Sequence, residues 1–207
     1  MTILLATNNP SKVAEIRNIF QQGGHNFVSL AELGLHFEAA ETGNSFEANA
    51  IQKATETLAF LQNHGHTNIT VFADDSGLCI DALGGLPGVD SANYMGRETA
   101  YSVRNTHLIG LLGDTKNRAA HFACVIACAF PCGEILTTVG YIHGEIAVEP
   151  CGNGGFGYDP IFFLPSHGKT TAQLSLQEKS EISHRGQALR AMFELLNSRQ
   201  QSGNTIT

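Results

Sequence analysis

Positive charge is scarce in this chain. It has 12 Lys and Arg residues against 19 Asp and Glu, which gives a formal net charge of −7 at pH 7. A protein that holds a nucleic-acid backbone needs many clustered cations, so this balance excludes a broad nucleic-acid footprint. A few cations focused in a cleft can still bind one small anion. We therefore expect a small-molecule partner and no nucleic acid.

Long apolar runs are also missing. Hydrophobic residues make up 43% of the chain, yet no stretch approaches the roughly 20 apolar residues needed to span a bilayer. The first residues resemble a short strand and not a basic leader peptide. These features predict no membrane partner and a cytoplasmic location.

Paired cysteines are absent too. The five cysteines form no CxxC pair, and their odd number argues against a disulfide framework. Cys124, Cys128 and Cys132 recur every four residues, which would fit a metal-binding helix face. The apolar residues around them favour a buried strand that uses cysteine as a small hydrophobe.

The apolar patterns that are present alternate between strands and helices, which predicts an α/β fold with two lobes around a cleft. We expect a strand near residues 27–30, a helix over 46–62 and a strand over 69–73. A helix should include residues 106–112, strands should fill 119–146, and the last helix should cover 184–197. Residues 1–197 would form one domain, and residues 198–207 a disordered tail.

The first polar constellation follows the first strand. A strand that feeds a helix leaves backbone N–H groups free at the positive end of the helix, which predicts an anion site. An ordinary capped helix is the alternative. The phosphate-binding GxxxxGK[ST] motif is absent from the chain. The candidate residues are Thr7, Asn8, Asn9, Pro10, Ser11 and Lys12.

The second constellation is Asp74-Asp75, which follows an apolar strand. Neighbouring side chains of a strand point to opposite faces, so both can serve one site only if the chain turns, and Ser76-Gly77 is expected to supply the turn. One carboxylate would hold Mg²⁺, and the other would orient or deprotonate water. A structural turn or helix cap is the alternative.

Three further groups are weaker when considered singly. Asn49 and Lys53, with Glu47 nearby, share one helix face, which would otherwise be a solvated surface. The glycine-rich segment 154–160 places Phe156 where a base could stack and Asp159 where it could bond to a base or ribose. His184 and Arg185 open the last helix, with Lys179 just before it.

Taken together, these residues resemble the inosine triphosphate pyrophosphatase family, enzymes that hydrolyse ITP, dITP and XTP. The resemblance covers nearly the whole chain and rests on six segments in order: 7–12, 46–54, 73–81, 84–91, 154–162 and 183–189. It implies an elongated α/β domain with a long mixed sheet and a central cleft, usually as a homodimer. It also implies Mg²⁺-dependent cleavage of a purine nucleoside triphosphate to the monophosphate and pyrophosphate.

The resemblance also assigns roles. Asp75 would be the proton acceptor and a ligand of Mg²⁺, with Glu41 and Asp74 as further candidate ligands and Lys53 as support for the reacting phosphate. Residues 7–12 would hold the triphosphate and Ser76 would contact substrate. The nucleoside would be enclosed by Phe156, Gly157, Tyr158, Asp159, Lys179, His184 and Arg185.

The sequence departs from the family at three positions. Asn8 stands where the family typically has glycine, Ala40 leaves Glu41 as the single acid before Thr42, and Asn93 replaces a frequent arginine. Donors from His184 and Arg185 would favour the keto oxygen at C6 of the purine over an amine. Two alternatives stay open: a pyrophosphatase for dUTP or for nucleotides generally, and a nucleotide sensor without turnover.

Overall fold

The computed structural model of the protein describes residues 2–19 and 26–203. Its helices are α1 (Pro10–Ile19), α2 (Phe46–Asn63), α3 (Tyr101–Leu112), α4 (Leu176–Ile182) and α5 (His184–Gly203). Its strands are β1 (Thr2–Leu5), β2 (Asn26–Ser29), β3 (Thr70–Ile80), β4 (Ala119–Ala129), β5 (Ile135–Ile146), β6 (Phe162–Leu164) and β7 (Lys169–Thr170). Short 3₁₀ turns lie at Ala31–Leu33, Asp81–Leu83, Gly88–Asp90, Asp159–Ile161 and Thr171–Gln173.

Within the described residues, seven strands form one mixed sheet in the order β2-β1-β3-β4-β5-β6-β7. β1 is parallel to β2 and β3, and the pairs from β3 to β7 are antiparallel. The predicted α/β class with a mixed sheet is confirmed. β1 pairs with β3 only as far as Phe72, so the edge of β3 beyond that residue is not covered by β1.

Helices cover both faces of the sheet. Ile16 of α1 and Leu189 and Met192 of α5 pack on one face, against side chains of β1, β3 and β4 that include Phe72. Ala50, Ala54, Leu58 and Leu61 of α2 pack on the opposite face. A third apolar cluster joins the far end of β3 to α3 and β6. On the face that carries Phe72, the polar residues Asp74 and Ser76 therefore lie between two apolar cores.

The predicted helix over residues 46–62 is confirmed by α2, and the two long antiparallel strands β4 and β5 fill residues 119–146 as expected. α5 begins at His184 as predicted but continues to Gly203, six residues past the expected end. Of the predicted tail, residues 204–207 lie outside the described residues. α3 begins at Tyr101, before the predicted stretch, and no side chain caps it.

The cysteines fit the strand interpretation. Cys124 and Cys128 are fully buried in β4, where they pack in the core beside α5. Cys132 is exposed, so these three residues do not share a face. No helix in the described part of the chain combines the length and the apolar character needed to cross a bilayer.

Candidate active site

A cleft of about 1040 Å³ opens where β1 stops beside β3. It brings together the candidate segments from both ends of the chain. Its lining includes residues 7–12, residues 37–41, Lys53, Asp74, Ser76, residues 156–159, Lys179, His184 and Arg185. A volume of this size accommodates a nucleotide. Most residues that the sequence singled out therefore meet in one place.

The expected turn at Ser76-Gly77 is absent, because β3 runs without a break from Thr70 to Ile80 and pairs with β4 throughout. Asp74 and Asp75 consequently point to opposite faces of the sheet. Asp74 faces α1 and α5, whereas Asp75 faces α2. Asp74 lines the cleft, whereas Asp75 does not; Asp75 is connected to the cleft through Lys53, which lines it and contacts both Asp75 and Glu41.

Asp75 forms a buried cluster with α2. The Lys53 ammonium lies 3.0 Å from Asp75 Oδ1 and 2.9 Å from Glu41 Oε1, and the Asn49 amide donates to Asp75 Oδ2 at 3.1 Å. Burial raises the pKa of Asp75 above its ordinary value in spite of Lys53. Burial alone would lower the pKa of Lys53, but Asp75, Asp74 and Glu41 raise it overall. Lys53 thus keeps its proton, and Asp75 accepts one more readily than a free aspartate.

One face of α2 holds the loop that carries Glu41. Asn49 accepts from the Gly43 N–H at 2.8 Å, and Gln52 accepts from both the N–H and the hydroxyl of Thr42. Further along α2, Glu56 accepts from the Ala40 N–H, and Phe60 stacks on Phe37. These contacts follow one another at helical spacing, so the loop runs antiparallel to α2 and Glu41 is held opposite Lys53. Glu47 is not part of this cluster and accepts from Thr137.

The loop before α1 caps its own helix. Asn9 Oδ1 accepts from the Ser11 and Lys12 N–H groups, and Pro10 has no N–H to offer. The expectation of several free N–H groups at this end of the helix is therefore wrong for these three residues. The Lys12 side chain lines the cleft, where its ammonium pairs with Asp74, and the Asn8 amide donates to the Phe37 carbonyl.

Asp74 is surrounded by cations. Its Oδ2 lies 2.9 Å from the Lys12 ammonium and 3.1 Å from Nη2 of Arg185, and Ser76 donates to it as well. Burial would raise its pKa, but Lys12 and Arg185 hold the pKa of Asp74 far below its ordinary value. The Asp74 carboxylate therefore stays ionised and holds Lys12 and Arg185 in place. Its role as a metal ligand stays a prediction.

Arg185 is fixed from two sides. Its Nη1 donates to Glu15 at 2.6 Å, and the rest of its guanidinium donates to Asp74 and Ser76. Burial would raise the pKa of Glu15, but Arg185 and Lys179 lower it overall, so Glu15 is ionised. Four of the five N–H bonds of Arg185 are used in this way, which leaves one on Nη1 for a ligand. Glu15 was missed because a single acid beside Ile16 in a short helix resembles a surface residue.

Gly140 allows α5 to approach the sheet closely. A β-carbon on Gly140 would lie 2.2 Å from the His184 carbonyl oxygen and 2.6 Å from the Ala188 nitrogen. The start of α5 therefore rests directly on β5. There the His184 ring stacks on Phe122 with a centroid separation of 4.9 Å.

The glycine-rich loop is built around Asp159. This carboxylate accepts from the Phe156 N–H at 2.7 Å, from Lys179 at 2.5 Å and from the Thr171 hydroxyl at 2.9 Å. Asp159 thus shapes the loop and also lines the cleft, and its contact with a base or ribose stays a prediction. Gly155 and Gly157 both have positive φ angles, 68° in each case, which glycine adopts without strain. Lys179 lies over the Phe156 ring, 4.7 Å from its centroid.

His184 should control part of the pH dependence of stability. Burial, followed by the nearby Arg185 and Lys179, holds its pKa well below the ordinary 6.5, and its Nδ1 has no hydrogen-bond partner among the described residues. Below about pH 6.5 the unfolded chain takes up a proton at this residue and the folded protein does not, so the free energy of unfolding falls by up to about 1.4 kcal/mol per pH unit. Replacing His184 by Phe keeps the ring against Phe122 and removes this loss.

The measurement is urea unfolding at pH 7.5 and 5.5. His184→Phe should lose less stability between these conditions than the wild type does. His167→Phe, which changes an exposed histidine, should retain the wild-type loss. An equal loss in wild type and His184→Phe would show that His184 is protonated in the folded protein.

Known proteins resemble this chain over most of its length. The family model described as "Ham1 family" matches residues 3–195. A dITP/XTP pyrophosphatase of Exiguobacterium is 45% identical over 192 residues, covering 93% of this chain and 95% of the relative. The dITP/XTP pyrophosphatase of Bacillus subtilis is 43% identical, covering 94% and 96%. The Ham1 protein of Staphylococcus aureus has a similar solved structure, with a TM-score of 0.83 and 39% identity over 96% of this chain and all of that one. This chain belongs to the Ham1 family.

Proposed function

We propose that this protein hydrolyses the non-canonical purine nucleoside triphosphates ITP, dITP and XTP to the monophosphate and pyrophosphate, which removes them from the nucleotide pool. The observation that carries the proposal is that one cleft joins the Glu41–Lys53–Asp75 cluster to the loop of Phe156. The Glu41–Lys53–Asp75 cluster can activate water beside a polyphosphate, and the loop of Phe156 can hold a purine base. The name dITP/XTP pyrophosphatase of the relatives supports the same substrates.

Asp75 acts as the proton acceptor. It takes a proton from a water molecule as the water oxygen bonds to a phosphorus of the α–β bridge. The bond between that phosphorus and the bridging oxygen breaks, and the electron pair stays on the bridging oxygen, which leaves with pyrophosphate if the α-phosphorus is attacked and with the monophosphate if the β-phosphorus is. Lys53, which bonds to Asp75, neutralises charge that develops on the reacting phosphate. Such a transfer needs mainly positioning and charge stabilisation, so no covalent nucleophile is required.

The charges of the cleft support a divalent cation. Among the described residues, five cations line it, and each contacts a carboxylate; the partner carboxylates are Glu15, Glu38, Glu41, Asp74, Asp75 and Asp159. Because these cations are already paired, they leave most of the roughly four negative charges of the substrate unbalanced. A divalent cation that enters with the substrate would neutralise part of that charge.

The residues present fit Mg²⁺. Within the described residues, no group of three or more His, Cys, Asp or Glu side chains is arranged to hold a metal ion. Mg²⁺ often uses only one or two carboxylates, together with water and phosphate oxygens. Glu41 and Asp75 meet this need, because the Lys53 ammonium already bridges them in the place of a cation. When bound, Mg²⁺ would supply charge neutralisation at the phosphates.

Purine selectivity rests on the donors around Phe156. The one remaining N–H of Arg185 and the ammonium of Lys179 are positive donors, which reward the keto oxygen of hypoxanthine or xanthine at C6 and repel the amino group of adenine. His184 stays neutral beside them because of its lowered pKa. Its place against Phe122 shapes the pocket without adding a further charge.

The resemblance to the family further supports a homodimer that works in the cytoplasm. Light scattering of the purified protein would give the mass of the assembly in solution. A mass of one chain would remove the dimer from the proposal and leave the chemistry as it is.

A nucleotide panel tests the proposed function. ITP, XTP, dUTP, GTP and ATP are each incubated with the protein, with Mg²⁺ or with EDTA, and pyrophosphate is measured. We expect release from ITP and XTP with Mg²⁺, at least about tenfold slower release from ATP, and none with EDTA. Fastest cleavage of dUTP would favour a dUTP pyrophosphatase. Binding of ITP without pyrophosphate would favour a nucleotide sensor.

A further inference from the structure

Arg104 is a buried arginine that the proposed chemistry does not use. Its side chain is 1% exposed. The other buried cations, Lys53, Lys179 and Arg185, each form an ion pair with a carboxylate, whereas Arg104 forms none among the described residues and donates to backbone carbonyl oxygens. A buried charge is costly unless it is hydrogen-bonded. The two terminal nitrogens of Arg104 are bonded to these carbonyls, while its buried Nε has no hydrogen-bond partner among the described residues.

All four of these carbonyls belong to one segment, residues 91–97. The guanidinium of Arg104 donates to Ala92 at 2.8 Å, Gly96 at 2.9 Å, Arg97 at 3.1 Å and Ser91 at 3.3 Å. The segment folds around the guanidinium as a ligand loop folds around an ion. One residue of the segment is strained, since Met95 has a φ of 61°, a left-handed conformation that residues other than glycine adopt only at a cost.

The 91–97 segment is one wall of the cleft. Ser91, Ala92, Asn93 and Arg97 line it, and Arg97 pairs with Glu38 from the opposite wall. The segment also meets the loop of Phe156, because the Tyr158 hydroxyl donates to the Ser91 carbonyl at 2.8 Å. It therefore lies between the loop that we assign to the base and the loop that carries Glu41.

α3 provides a second connection between the 91–97 segment and the loop of Phe156. The guanidinium of Arg104 lies over the Tyr101 ring, 4.6 Å from its centroid, and Tyr101 meets the Tyr158 ring edge to face at 5.2 Å. Asn105, the next residue, donates to the Gly157 carbonyl at 3.2 Å. Two neighbouring residues of a single helix thus hold both segments that would contact the nucleoside.

We propose that Arg104 is a positioning residue for nucleotide binding: it fixes the 91–97 wall at the distance from the base loop that the nucleoside requires. This inference rests on the proposed function only for the identity of the ligand. Loss of Arg104 should loosen the wall and weaken nucleoside binding. The Asp75 and Lys53 cluster lies on α2 and β3, so the chemical step should change little once substrate is bound.

Arg118 offers a matched control. Like Arg104 it donates to backbone carbonyls, those of Ile146, Ala147 and Gly113, but it does not line the cleft and none of its partners does. Arg104→Met and Arg118→Met therefore remove the same type of structural contact at two places. A merely structural role for Arg104 predicts the same outcome for both variants.

The test measures the Kd of inosine monophosphate by calorimetry, kcat and KM for ITP, and Tm. At a temperature well below Tm, Arg104→Met should raise the Kd and the KM by roughly tenfold and change kcat by less than about threefold. Arg118→Met should lower Tm but leave the Kd unchanged. Arg104→Lys, whose ammonium has three donors, should restore part of the affinity.

The proposal is overturned if Arg104→Met binds inosine monophosphate as the wild type does, or if Arg118→Met weakens binding equally. Should Arg104→Met fail to fold, Arg104→Lys decides, with an unchanged Kd counting against the proposal. A wild type that binds inosine monophosphate but leaves ITP intact would refute the proposed reaction and not the positioning role. The two failures are therefore distinguishable.

Discussion

Replacing Asp75 by asparagine is expected to lower the turnover of ITP by roughly a hundredfold to ten-thousandfold, the range that a general base contributes. Asparagine has the same shape but cannot accept the proton of the attacking water. Burial raises the pKa of Asp75, which makes its carboxylate a stronger base than a free aspartate. The measurement is pyrophosphate release from ITP at saturating substrate and Mg²⁺.

The fold should survive this change. The amide oxygen introduced by Asp75→Asn would still accept from Lys53, and Glu41 continues to neutralise that ammonium. Asp81→Asn is the matched control, because Asp81 follows the same strand and is exposed. Its turnover should equal that of the wild type. If Asp75→Asn kept normal turnover with a normal melting temperature, Asp75 would not be the base.

Replacing Lys53 by methionine should have two opposite effects. Turnover should fall by roughly a hundredfold or more, since the reacting phosphate loses a buried cation. The affinity for a divalent cation should rise, because the ammonium now lies between Glu41 and Asp75, the two carboxylates that we propose as its ligands. Removing it leaves those carboxylates without a competitor. Methionine fills a similar volume in the buried position.

Binding of Mn²⁺, followed by electron paramagnetic resonance, separates the two effects without any assay of turnover. We expect Lys53→Met to bind Mn²⁺ at least about fivefold more tightly than the wild type, as the loss of one nearby like charge implies. Lys116→Met changes an exposed lysine and should match the wild type. Glu41→Gln should bind Mn²⁺ more weakly. Weaker binding by Lys53→Met would mean that Lys53 and the ion do not compete.

Local signals in the sequence were sufficient for much of the fold. The apolar stripe from Ala50 to Leu61 fixed α2, and the apolar run around Cys124 and Cys128 identified a buried strand. α4 was missed although its start carries a recognisable signal. Ser175 and Glu178 form a capping box there, with each side chain bonded to the other residue's backbone.

The arrangement of the site depended on facts that are not local. Asp74 and Asp75 face opposite sides of an unbroken strand, and Asp74 is open to the cleft because a different strand, β1, ends early beside β3. The bond from the Phe156 N–H to Asp159 is local, but the bond from Lys179 to Asp159 depends on how α4 packs, 20 residues further along the chain. Motif spacing identifies such residues as polar and clustered, but only the packing shows which partner occupies each oxygen.

The pairing of every cation that lines the cleft with a carboxylate has a consequence for how the protein behaves in a crowded solution of anions. An incoming polyphosphate must exchange places with carboxylates that are tethered to the fold, and it releases few mobile counterions when it does so. Its affinity should therefore change little with ionic strength, unlike that of proteins with open basic surfaces. An anion that lacks a purine makes no contacts with the loop of Phe156, so it gains too little free energy from this exchange to bind well. Inorganic phosphate should therefore be a poor inhibitor.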